Sequence, residues 1–286
     1  MNLCDYQTIR DLLARHGFHF SKSMGQNFLI DPEVPRRIAE ASGAGSTCGV
    51  LEIGPGIGPL TAELAQRADK VVAVELDRAL LPVLEETMAP YPNVEIVPGD
   101  VLKLDLQALA AEKFAGLTPM VCANIPYNVT SPILEKLVET PCFSSFTVMI
   151  QREVARRLCA PQGSSEGGSF SLFLQYYMEP ELLFDVPPEK FLPAPKVTSA
   201  VIRCVRRDRP AVDVADEAFF FKVMRGGFLL RRKTLANSLA AALPGFSKEA
   251  IQQAIAESGL PADVRGERLT LEDFAALSAV LGCARS

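Results

Sequence analysis

The feature that most constrains the fold is an alternation of short apolar runs with helical segments in the first half of the chain. Five of these runs have the composition of buried strands: CGVLEI (48–53), VVAVEL (71–76), VEIVPGD (94–100), MVCANIPY (120–127) and SFTVMIQ (145–151). Strands that alternate with helices are typical of βαβ units, which build a parallel sheet with helices on its faces. The sequence therefore predicts an α/β fold.

Helices are predicted between these strands from periodicity and from capping residues. They cover 59–68, roughly 77–88, and a segment that starts at Ser131 and Pro132, a serine N-cap followed by proline at the first helical position. Strands near 174–184 and 197–206 would extend the sheet, and the Gly- and Ser-rich segment 162–170 is predicted to be a loop.

The segment RRDRPAVDV (206–214) is typical of a boundary between domains. Beyond it, residues 219–243, 247–259 and 270–282 all show helical periodicity. We therefore expect two domains. Residues 1–207 would form an N-terminal arm and a Rossmann-like domain, and residues 208–286 a small all-helical domain.

Composition excludes several classes of protein. With 48% hydrophobic and 22% charged residues, the chain has the composition of a globular protein. It contains no apolar run of about 18 residues, the length that a membrane span needs. Asp5, Arg10 and Asp11 interrupt the region where a secretory signal would be apolar. We expect a cytoplasmic protein.

The cysteines and histidines argue against metal and disulfide chemistry. The seven cysteines are an odd number, no C-x-x-C pair occurs, and His16 and His19 are the only histidines. A zinc site, a disulfide framework or a His-centred triad needs a different pattern. We therefore expect no metal site.

The formal net charge of −5 is unevenly distributed. Residues 207–286 hold 11 Lys and Arg against 10 Asp and Glu, and the only acid between residues 218 and 250 is Glu249. The cations of that segment are Lys222, Arg225, Arg231, Arg232, Lys233 and Lys248. Such a segment can bind phosphates on a globally acidic protein. A solvated helix face has the same pattern, and charge alone favours that simpler interpretation.

The first strand leads into a glycine-rich turn, Glu52-Ile-Gly54-Pro-Gly56-Ile-Gly58, which opens a helix. Glycine lets a nucleotide-like ligand approach the backbone, because no Cβ stands in the way. The spacing is G-x-G-x-G, whereas dinucleotide-binding turns have G-x-G-x-x-G, so pyrophosphate binding is disfavoured. For these glycines taken alone, a purely structural turn is an equal alternative.

Two acids at strand ends support a ligand site. Glu75 ends the second strand 21 residues after Gly54, where a carboxylate can hydrogen-bond the hydroxyls of a ribose. Asp100 ends the third strand, where its carboxylate can accept a hydrogen bond from the exocyclic amine of an adenine. Recognition of adenine and ribose without a phosphate cradle indicates S-adenosylmethionine as the cofactor.

The fourth strand ends in Asn124, Ile125, Pro126 and Tyr127. The exocyclic amine of adenine is a weak nucleophile because its lone pair is delocalised into the ring. A methylating site has to accept hydrogen bonds from both N–H groups and let the nitrogen become pyramidal. The Asn124 side chain and the backbone carbonyl of Ile125 or Pro126 suit this task, and proline adds rigidity. The ring of Tyr127 offers a stacking surface for a flipped base. These residues predict methylation of an adenine amine, with a plain turn as the less favoured alternative.

Six segments together resemble the KsgA-type rRNA adenine N6,N6-dimethyltransferases. They are GQNFLID (25–31), VLEIGPGIGPLT (50–61), VAVELD (72–77), GDVL (99–102), NIPYNVTSPIL (124–134) and FLPAPKVTSAVI (191–202). The resemblance extends from about Lys22 to Asp273. Its first and last segments are more specific to this family than the glycine-rich turn.

The resemblance implies a Rossmann-like, S-adenosylmethionine-dependent methyltransferase domain and a C-terminal helical RNA-binding domain. Asn27 and Leu29 on the arm would help to close over the cofactor, and Phe191 would stack on the target adenine opposite Tyr127. The implied cofactor contacts are Asn27, Leu29, Gly54, Glu75, Asp100 and Asn124. The implied catalytic residues are Asn124, Pro126, Tyr127 and Phe191.

The substrate that the resemblance implies is a pair of adjacent adenosines in the 3′-terminal hairpin loop of small-subunit rRNA. The implied partner is the immature small ribosomal subunit. We expect a monomer.

Two alternatives stay open. A large-subunit rRNA adenine dimethyltransferase of the macrolide-resistance type shares the motifs of the first domain, but such enzymes are usually more basic than a chain of net charge −5. A non-catalytic RNA- or DNA-binding relative would not need Asn124, Pro126 and Tyr127 intact. An NAD-dependent oxidoreductase is disfavoured by the glycine spacing.

Overall fold

The computed structural model describes residues 1–18 and 27–284. His19, Lys22, and the Gly25 and Gln26 that open the GQNFLID segment lie outside the described residues. The chain divides into two units. One comprises Met1–Ala155 and Glu181–Arg206, and the other comprises Arg156–Pro180 and Arg207–Ser286.

The strands form a large sheet and a small one. They are β1 (Phe28–Leu29), β2 (Cys48–Ile53), β3 (Lys70–Glu75), β4 (Val94–Pro98), β5 (Thr118–Asn124), β6 (Ser145–Gln151), β7 (Met178–Val186), β8 (Phe191–Leu192) and β9 (Ser199–Arg206). Seven of them make one sheet in the order β4-β3-β2-β5-β6-β9-β7, and β1 pairs with β8. Neighbours from β4 to β6 are parallel, and β9 is antiparallel to β6. The predicted α/β fold with a parallel sheet is thus confirmed.

The strand order reverses between β2 and β5. From β2 the chain adds β3 and β4 toward one edge, and from β5 it adds β6 toward the other. The connections therefore diverge and leave a crevice at the carboxyl ends of these two strands. Open α/β sheets bind their ligands in this position.

The helices flank the sheet in the first unit and dominate the second. They are α1 (Tyr6–Arg15), α2 (Glu33–Ser42), α3 (Pro59–Ala65), α4 (Leu81–Met88), α5 (Leu106–Lys113), α6 (Thr130–Glu139), α7 (Arg152–Leu158), α8 (Ser169–Tyr177), α9 (Glu217–Gly227), α10 (Leu235–Ala242), α11 (Lys248–Glu257) and α12 (Leu271–Cys283). Within the ranges that the structure describes, none of these helices is long and apolar enough to cross a membrane.

The N-terminal helix α1 belongs to the core, although the sequence predicted only an arm in this region. Its apolar residues Ile9, Leu12 and Leu13 are buried in one cluster with Val83 and Leu84 of α4. Burial of these side chains from water stabilises the docking of α1 on the unit.

Two predicted strands match β2 and β6 at both ends, and the strands that carry Asp100 and Tyr127 stop earlier than expected. β4 ends at Pro98 and β5 ends at Asn124. Proline has no N–H to donate to a ladder, which fits the ends of both strands, because Pro98 closes β4 and Pro126 follows β5. Asp100 and Tyr127 therefore lie in turns beyond the strands.

The segment predicted as a strand near 174–184 begins as a helix, because α8 continues to Tyr177. The buried side-chain amide of Gln175 fixes this helix by donating hydrogen bonds to Leu158 O and Ala160 O, both at 3.0 Å. An apolar run of this length is compatible with either structure. The contacts of Gln175 with residues 15 and 17 positions earlier favour the helix, and the local hydrophobic pattern does not show these contacts.

The predicted serine cap at Ser131 is wrong. α6 begins at Thr130, and its N-cap residue, Val129, makes no side-chain hydrogen bond. The Thr130 hydroxyl instead donates toward the carbonyl oxygens of Pro126 and Tyr127, at 3.2 and 3.3 Å. The start of the helix is therefore tied to the preceding turn.

The helix predicted from Asp77 starts later, at Leu81. Asp77 N donates to the Glu75 carboxylate at 2.8 Å, and Asp77 Oδ1 accepts a hydrogen bond from Ala79 N at 2.9 Å. Side chains of Asp and Glu compete in this way with helical hydrogen bonding. The residues after β3 consequently form a turn.

The second unit is mostly helical, and α8 belongs to it. The segment 219–243, which showed continuous helical periodicity, is divided into α9 and α10. The rings of Phe173 and Tyr176 in α8 pack against Phe221 of α9, with centroid distances of 5.3 and 5.0 Å. Aromatic packing of this kind is a large part of a small core. It explains why residues 156–180 group with the C-terminal helices, whereas the expected boundary at 207–208 assigned them to the first domain.

A close contact in β2 gives a prediction about stability. A Cβ at Gly49 would clash with the ring and with the Cβ of Phe114, which is 3% exposed. We expect Gly49→Ala to lower the free energy of unfolding by about 1–3 kcal/mol, measured by urea denaturation. Gly45→Ala is the matched control, because a Cβ there meets nothing within 4 Å. Equal losses in the two variants would contradict the packing argument.

Candidate active site

The carboxyl ends of β2, β3, β4 and β5 surround a cavity of about 170 Å³. A cavity that holds one water molecule needs about 10–15 Å³, so this one has room for an organic ligand. Every site residue predicted from the sequence lines it: Asn27, Leu29, Gly54, Glu75, Asp100, Asn124, Pro126, Tyr127 and Phe191. Within the described ranges, no three His, Cys, Asp or Glu side chains are grouped so that they could hold a metal ion.

The glycine-rich turn after β2 exposes its backbone to the cavity. Gly54 and Gly56 have φ angles of +67° and +65°, a conformation that glycine adopts freely and other residues adopt with strain. A Cβ at Gly54 would have its nearest contact at Pro126, 4.0 Å away. The space that a side chain would fill is therefore open to a ligand.

Glu75, the last residue of β3, is held by two backbone amides. Its Oε1 accepts a hydrogen bond from Asp77 N at 2.8 Å, and its Oε2 accepts one from Gly56 N at 3.3 Å. Burial raises the pKa of this carboxyl, and the two amides oppose the rise. A carboxylate accepts up to about four hydrogen bonds. Glu75 thus joins two turns of the site and keeps acceptor capacity for ligand hydroxyls.

Asp100 lies in the turn after β4. Its Oδ1 accepts a hydrogen bond from Leu102 N at 3.0 Å, and its Oδ2 lies 3.7 Å from Nζ of the exposed Lys103. Together with Glu75, it supplies carboxylates at the ends of adjacent strands. This arrangement suits a ligand that carries hydroxyl and amine donors at its two ends.

Asn124 and Ile125 offer hydrogen-bond acceptors at the end of β5. Ile125 N donates to Met149 O at 3.1 Å, which fixes the backbone. No other described residue bonds to the Asn124 side chain or to Ile125 O. The carbonyl of Pro126, in contrast, already accepts from Val129 N at 3.2 Å. Of the two backbone carbonyls that the sequence left open, the geometry favours that of Ile125.

Tyr127 opens a short 3-10 turn (Tyr127–Val129). Its hydroxyl lies 2.6 Å from Oγ of Ser199, the first residue of β9. Burial raises the pKa of Tyr127, and the hydrogen bond to Ser199 opposes the rise. The sequence predicted a stacking role for the ring of Tyr127 and no role for its hydroxyl. Ser199 stands in the FLPAPKVTSAVI segment, but no local signal shows what its hydroxyl contacts.

The arm and Phe191 are joined by the small sheet. Leu29 of β1 is paired with Phe191 of β8, and Ile30 N donates to Lys190 O at 2.9 Å. Lys190 Nζ donates to Asp31 Oδ2 at 2.6 Å, and this contact lowers the pKa of Asp31. The arm residue expected to cover the cofactor is thus a backbone neighbour of the ring expected to stack on the base.

Glu52 lines the cavity and was missed as a site residue. It is 1% exposed, and its Oε2 has no hydrogen-bond partner among the described residues. Burial raises the pKa of Glu52 to about 8, so the carboxyl is mostly neutral at pH 7. The signal available in the sequence is an acid inside the otherwise apolar strand CGVLEI.

The order of the strands and the chemistry around the cavity define a class of protein. A parallel sheet that presents a G-x-G-x-G turn and strand-end acids at its reversal point is typical of the Rossmann-like methyltransferases. Residues 17–278 match the family described as ribosomal RNA adenine dimethylase. The chain belongs to this family, as the resemblance of its motifs implied.

Similar proteins cover nearly the whole chain. The Ribosomal RNA small subunit methyltransferase A of Bacillus mycoides (strain KBAB4) and that of Bacillus cereus (strain AH187) are each 49% identical over 276 residues, which are 95% of this chain and 94% of the relative. The solved 23S rRNA methyltransferase ErmE is 27% identical, with a TM-score of 0.68 over 89% of this chain and 99% of its own. A dimethyladenosine transferase from Plasmodium falciparum, 24% identical, supports the fold with a TM-score of 0.73 over 87% of this chain and 95% of its own.

Glu52 predicts a pH dependence of stability. A carboxyl with a raised pKa keeps its proton in the folded state after the unfolded chain has lost it, so stability falls as pH rises from about 4.5 to about 8. Glu52→Gln removes this group. We expect its advantage over the wild type to grow across that window by up to about 1.4 kcal/mol per pH unit.

Urea denaturation of the ligand-free protein at several pH values in this window measures the effect. The control is Glu85→Gln, a variant of an exposed carboxyl on α4. If the Glu52 and Glu85 variants differed from the wild type by the same amount at every pH, the raised pKa would be contradicted.

Proposed function

We propose that this protein uses S-adenosylmethionine to dimethylate N6 of two adjacent adenosines in the 3′-terminal hairpin loop of small-subunit rRNA. The observation that carries the proposal is the pair of free acceptors, the Asn124 side chain and Ile125 O, at the edge of a cavity with a glycine-rich turn. The choice of RNA is supported by similarity. Relatives at 49% identity are named small-subunit methyltransferases, whereas the 23S rRNA enzyme ErmE is 27% identical.

The residues around the cavity fit the proposed cofactor. Glu75 and Asp100 offer acceptors for ribose hydroxyls and for the adenine amine, and the open backbone at Gly54 leaves room for close approach. None of the described residues that line the cavity is Lys or Arg, so a pyrophosphate would lack the counter-charges that usually hold it. The bound cofactor supplies an electrophilic methyl group on a sulfonium.

Asn124 and Ile125 are proposed to activate the target amine by position. When N6 donates its hydrogens to Asn124 Oδ1 and Ile125 O, its lone pair can leave conjugation with the ring and point toward the methyl group. N6 would accept the methyl group that the cofactor supplies, and the proton that N6 gives up would pass to solvent. The two acceptors bind the developing positive nitrogen more strongly than the neutral amine, so they stabilise the transition state selectively.

Tyr127 and Phe191 are proposed to hold the flipped adenine between their rings. Stacking on an aromatic side chain is worth about 1–3 kcal/mol per base, which offsets the cost of taking the base out of its own stack. Because any base can stack on an aromatic ring, these two rings supply affinity for the flipped base but do not select its identity. Selection of adenine depends on the two acceptors at Asn124 and Ile125.

An exposed basic turn of the second unit is the proposed RNA contact. Arg231, Arg232 and Lys233 lie between α9 and α10, and no ion pair to another described residue involves them. The turn is held in place by the buried Ser238, whose Oγ accepts a hydrogen bond from Leu230 N at 2.9 Å. Unpaired cations on a fixed turn suit contacts to RNA phosphates. This favours binding over the solvated-face interpretation.

We further propose that the protein is a monomer. It would act in the cytoplasm on the immature small ribosomal subunit, because its RNA substrate would be found there. The non-catalytic alternative has less support, since the acceptors at Asn124 and Ile125 are intact and free. Mass spectrometry of rRNA from cells with and without the gene tests the whole proposal. We expect N6,N6-dimethyladenosine to disappear from small-subunit rRNA; its loss from large-subunit rRNA instead would support the macrolide-resistance alternative.

The mechanism predicts that Asn124 acts on the turnover step. Asn124→Ala removes one acceptor of the amine, and we expect a loss of about 10²–10³ in rate, by analogy with the removal of one oriented hydrogen-bond partner from a transition state. The measurement is single-turnover methyl transfer at saturating cofactor and RNA, which separates turnover from binding. Asn124→Asp keeps an acceptor oxygen and should retain more activity. Transfer at the wild-type rate by Asn124→Ala would exclude the acceptor mechanism.

The basic turn predicts a change in the salt dependence of RNA binding. Replacing Arg231, Arg232 and Lys233 by Ala should reduce the slope of log K against log salt by about 2 or more, while affinity for the cofactor stays the same. The control triple variant replaces Arg36, Arg67 and Lys113, each of which already pairs with a carboxylate. A slope equal to that of the wild type in the first variant would support a solvated face instead.

A further inference from the structure

The segment FLPAPKVTS (191–199) contacts both sides of the proposed base site. Phe191 opens the segment and lines the cavity. Ser199 closes it, with its hydroxyl 2.6 Å from the hydroxyl of Tyr127, which also lines the cavity. One short stretch of chain therefore provides one of the two rings and holds the other.

Ser199 is a rigid anchor. It is 0% exposed and is paired with Gln151 in the ladder between β6 and β9. The ladder continues beyond it, because Arg152 N donates to Thr198 O at 3.0 Å. Tyr127, in contrast, lies in a turn outside the sheet. The hydrogen bond therefore extends the fixed position of the sheet to the Tyr127 ring.

The other end of the segment is also fixed. Phe191 is 3% exposed, and its backbone is paired with Leu29 in the small sheet. Both residues belong to the same buried cluster. Phe191 is therefore fixed by its own backbone and packing, and Tyr127 is tied to the other end of the same segment by its hydroxyl.

We propose that Ser199 is a positioning residue for the reaction: through the hydroxyl of Tyr127 it sets the gap between the Tyr127 and Phe191 rings, and so aligns a flat base with the acceptors at Asn124. Ser199 itself does not line the cavity and acts only through Tyr127. The inference rests on the proposed function for the stacking role of the two rings.

A double-mutant cycle tests the proposal. Removing one partner of a buried hydrogen bond leaves the other unsatisfied, whereas removing both is much less costly. We therefore expect Ser199→Ala and Tyr127→Phe each to slow single-turnover methyl transfer by about tenfold. The double variant should be no slower than the slower single variant, and cofactor affinity should be unchanged in all three.

Additive effects in the cycle, with the double variant about a hundredfold slower, would overturn the proposal, because Ser199 and the Tyr127 hydroxyl would then act independently. A wild-type rate in either single variant would overturn it as well. Ser278→Ala is the matched control. Ser278 is a buried serine of α12 that donates to Ala275 O at 2.9 Å and does not line the cavity, and we expect its variant to keep the wild-type rate.

A second measurement does not depend on methyl transfer. In protein with ¹³C-labelled tyrosine, the Tyr127 signal is identified by its loss in Tyr127→Phe, and its Cζ shift reports the hydroxyl hydrogen bond. Ser199→Ala should move this shift and increase the mobility of the ring. An unchanged signal would overturn the positioning role even if the wild type methylates rRNA. A wild type that does not methylate rRNA would contradict the proposed function and leave the NMR result to decide the role of Ser199.

Discussion

The reversal of strand order between β2 and β5 is the constraint on which the whole site depends. Parallel pairing places the carboxyl ends of β2, β3, β4 and β5 at one edge of the sheet, and the reversal opens a crevice there. Residues from distant parts of the chain therefore line a single cavity. Hydrogen bonds between the turns then fix their relative positions. Glu75 accepts from Gly56 N, and Ile125 N donates to Met149 O. The site is therefore held largely by backbone groups, which leaves side chains such as Asn124 available to a ligand.

Local signals were sufficient for the central parallel strands and for cavity residues at their carboxyl ends, such as Gly54, Glu75 and Asn124. The apolar runs that became β2 and β6 have the composition of strands buried on both faces, and the positive φ angles at Gly54 and Gly56 could be inferred from residue type. Placement of Glu75 followed from its position at the end of β3. Each of these inferences uses residues that are close in sequence, where propensity and spacing act directly.

Several features that were not predicted depend on contacts between residues that are far apart in the sequence. The final turn of α8 is fixed by Gln175 bonding to Leu158 and Ala160, and the hydroxyl of Tyr127 is bonded to a residue 72 positions away. The neutral state of Glu52 is of the same kind, because its pKa is set by burial and not by its neighbours in sequence. A sequence pattern shows which residues can form such contacts, but the three-dimensional packing decides which of them do.

The free polar groups at the cavity distinguish a binding site from a well-packed core. Buried polar atoms are normally hydrogen-bonded, and exceptions at side chains that do not line the cavity occur at Thr61, Thr147, Ser164 and Arg203. At the cavity, the buried Glu52 Oε2 has no partner in the described part of the chain, and neither do the half-buried Asn124 side chain and Ile125 O. An apolar side chain in place of Glu52 would remove the cost of its unsatisfied buried oxygen. Glu52 therefore lowers stability at this edge of the sheet, and a ligand that binds the folded protein through these oxygens would raise it.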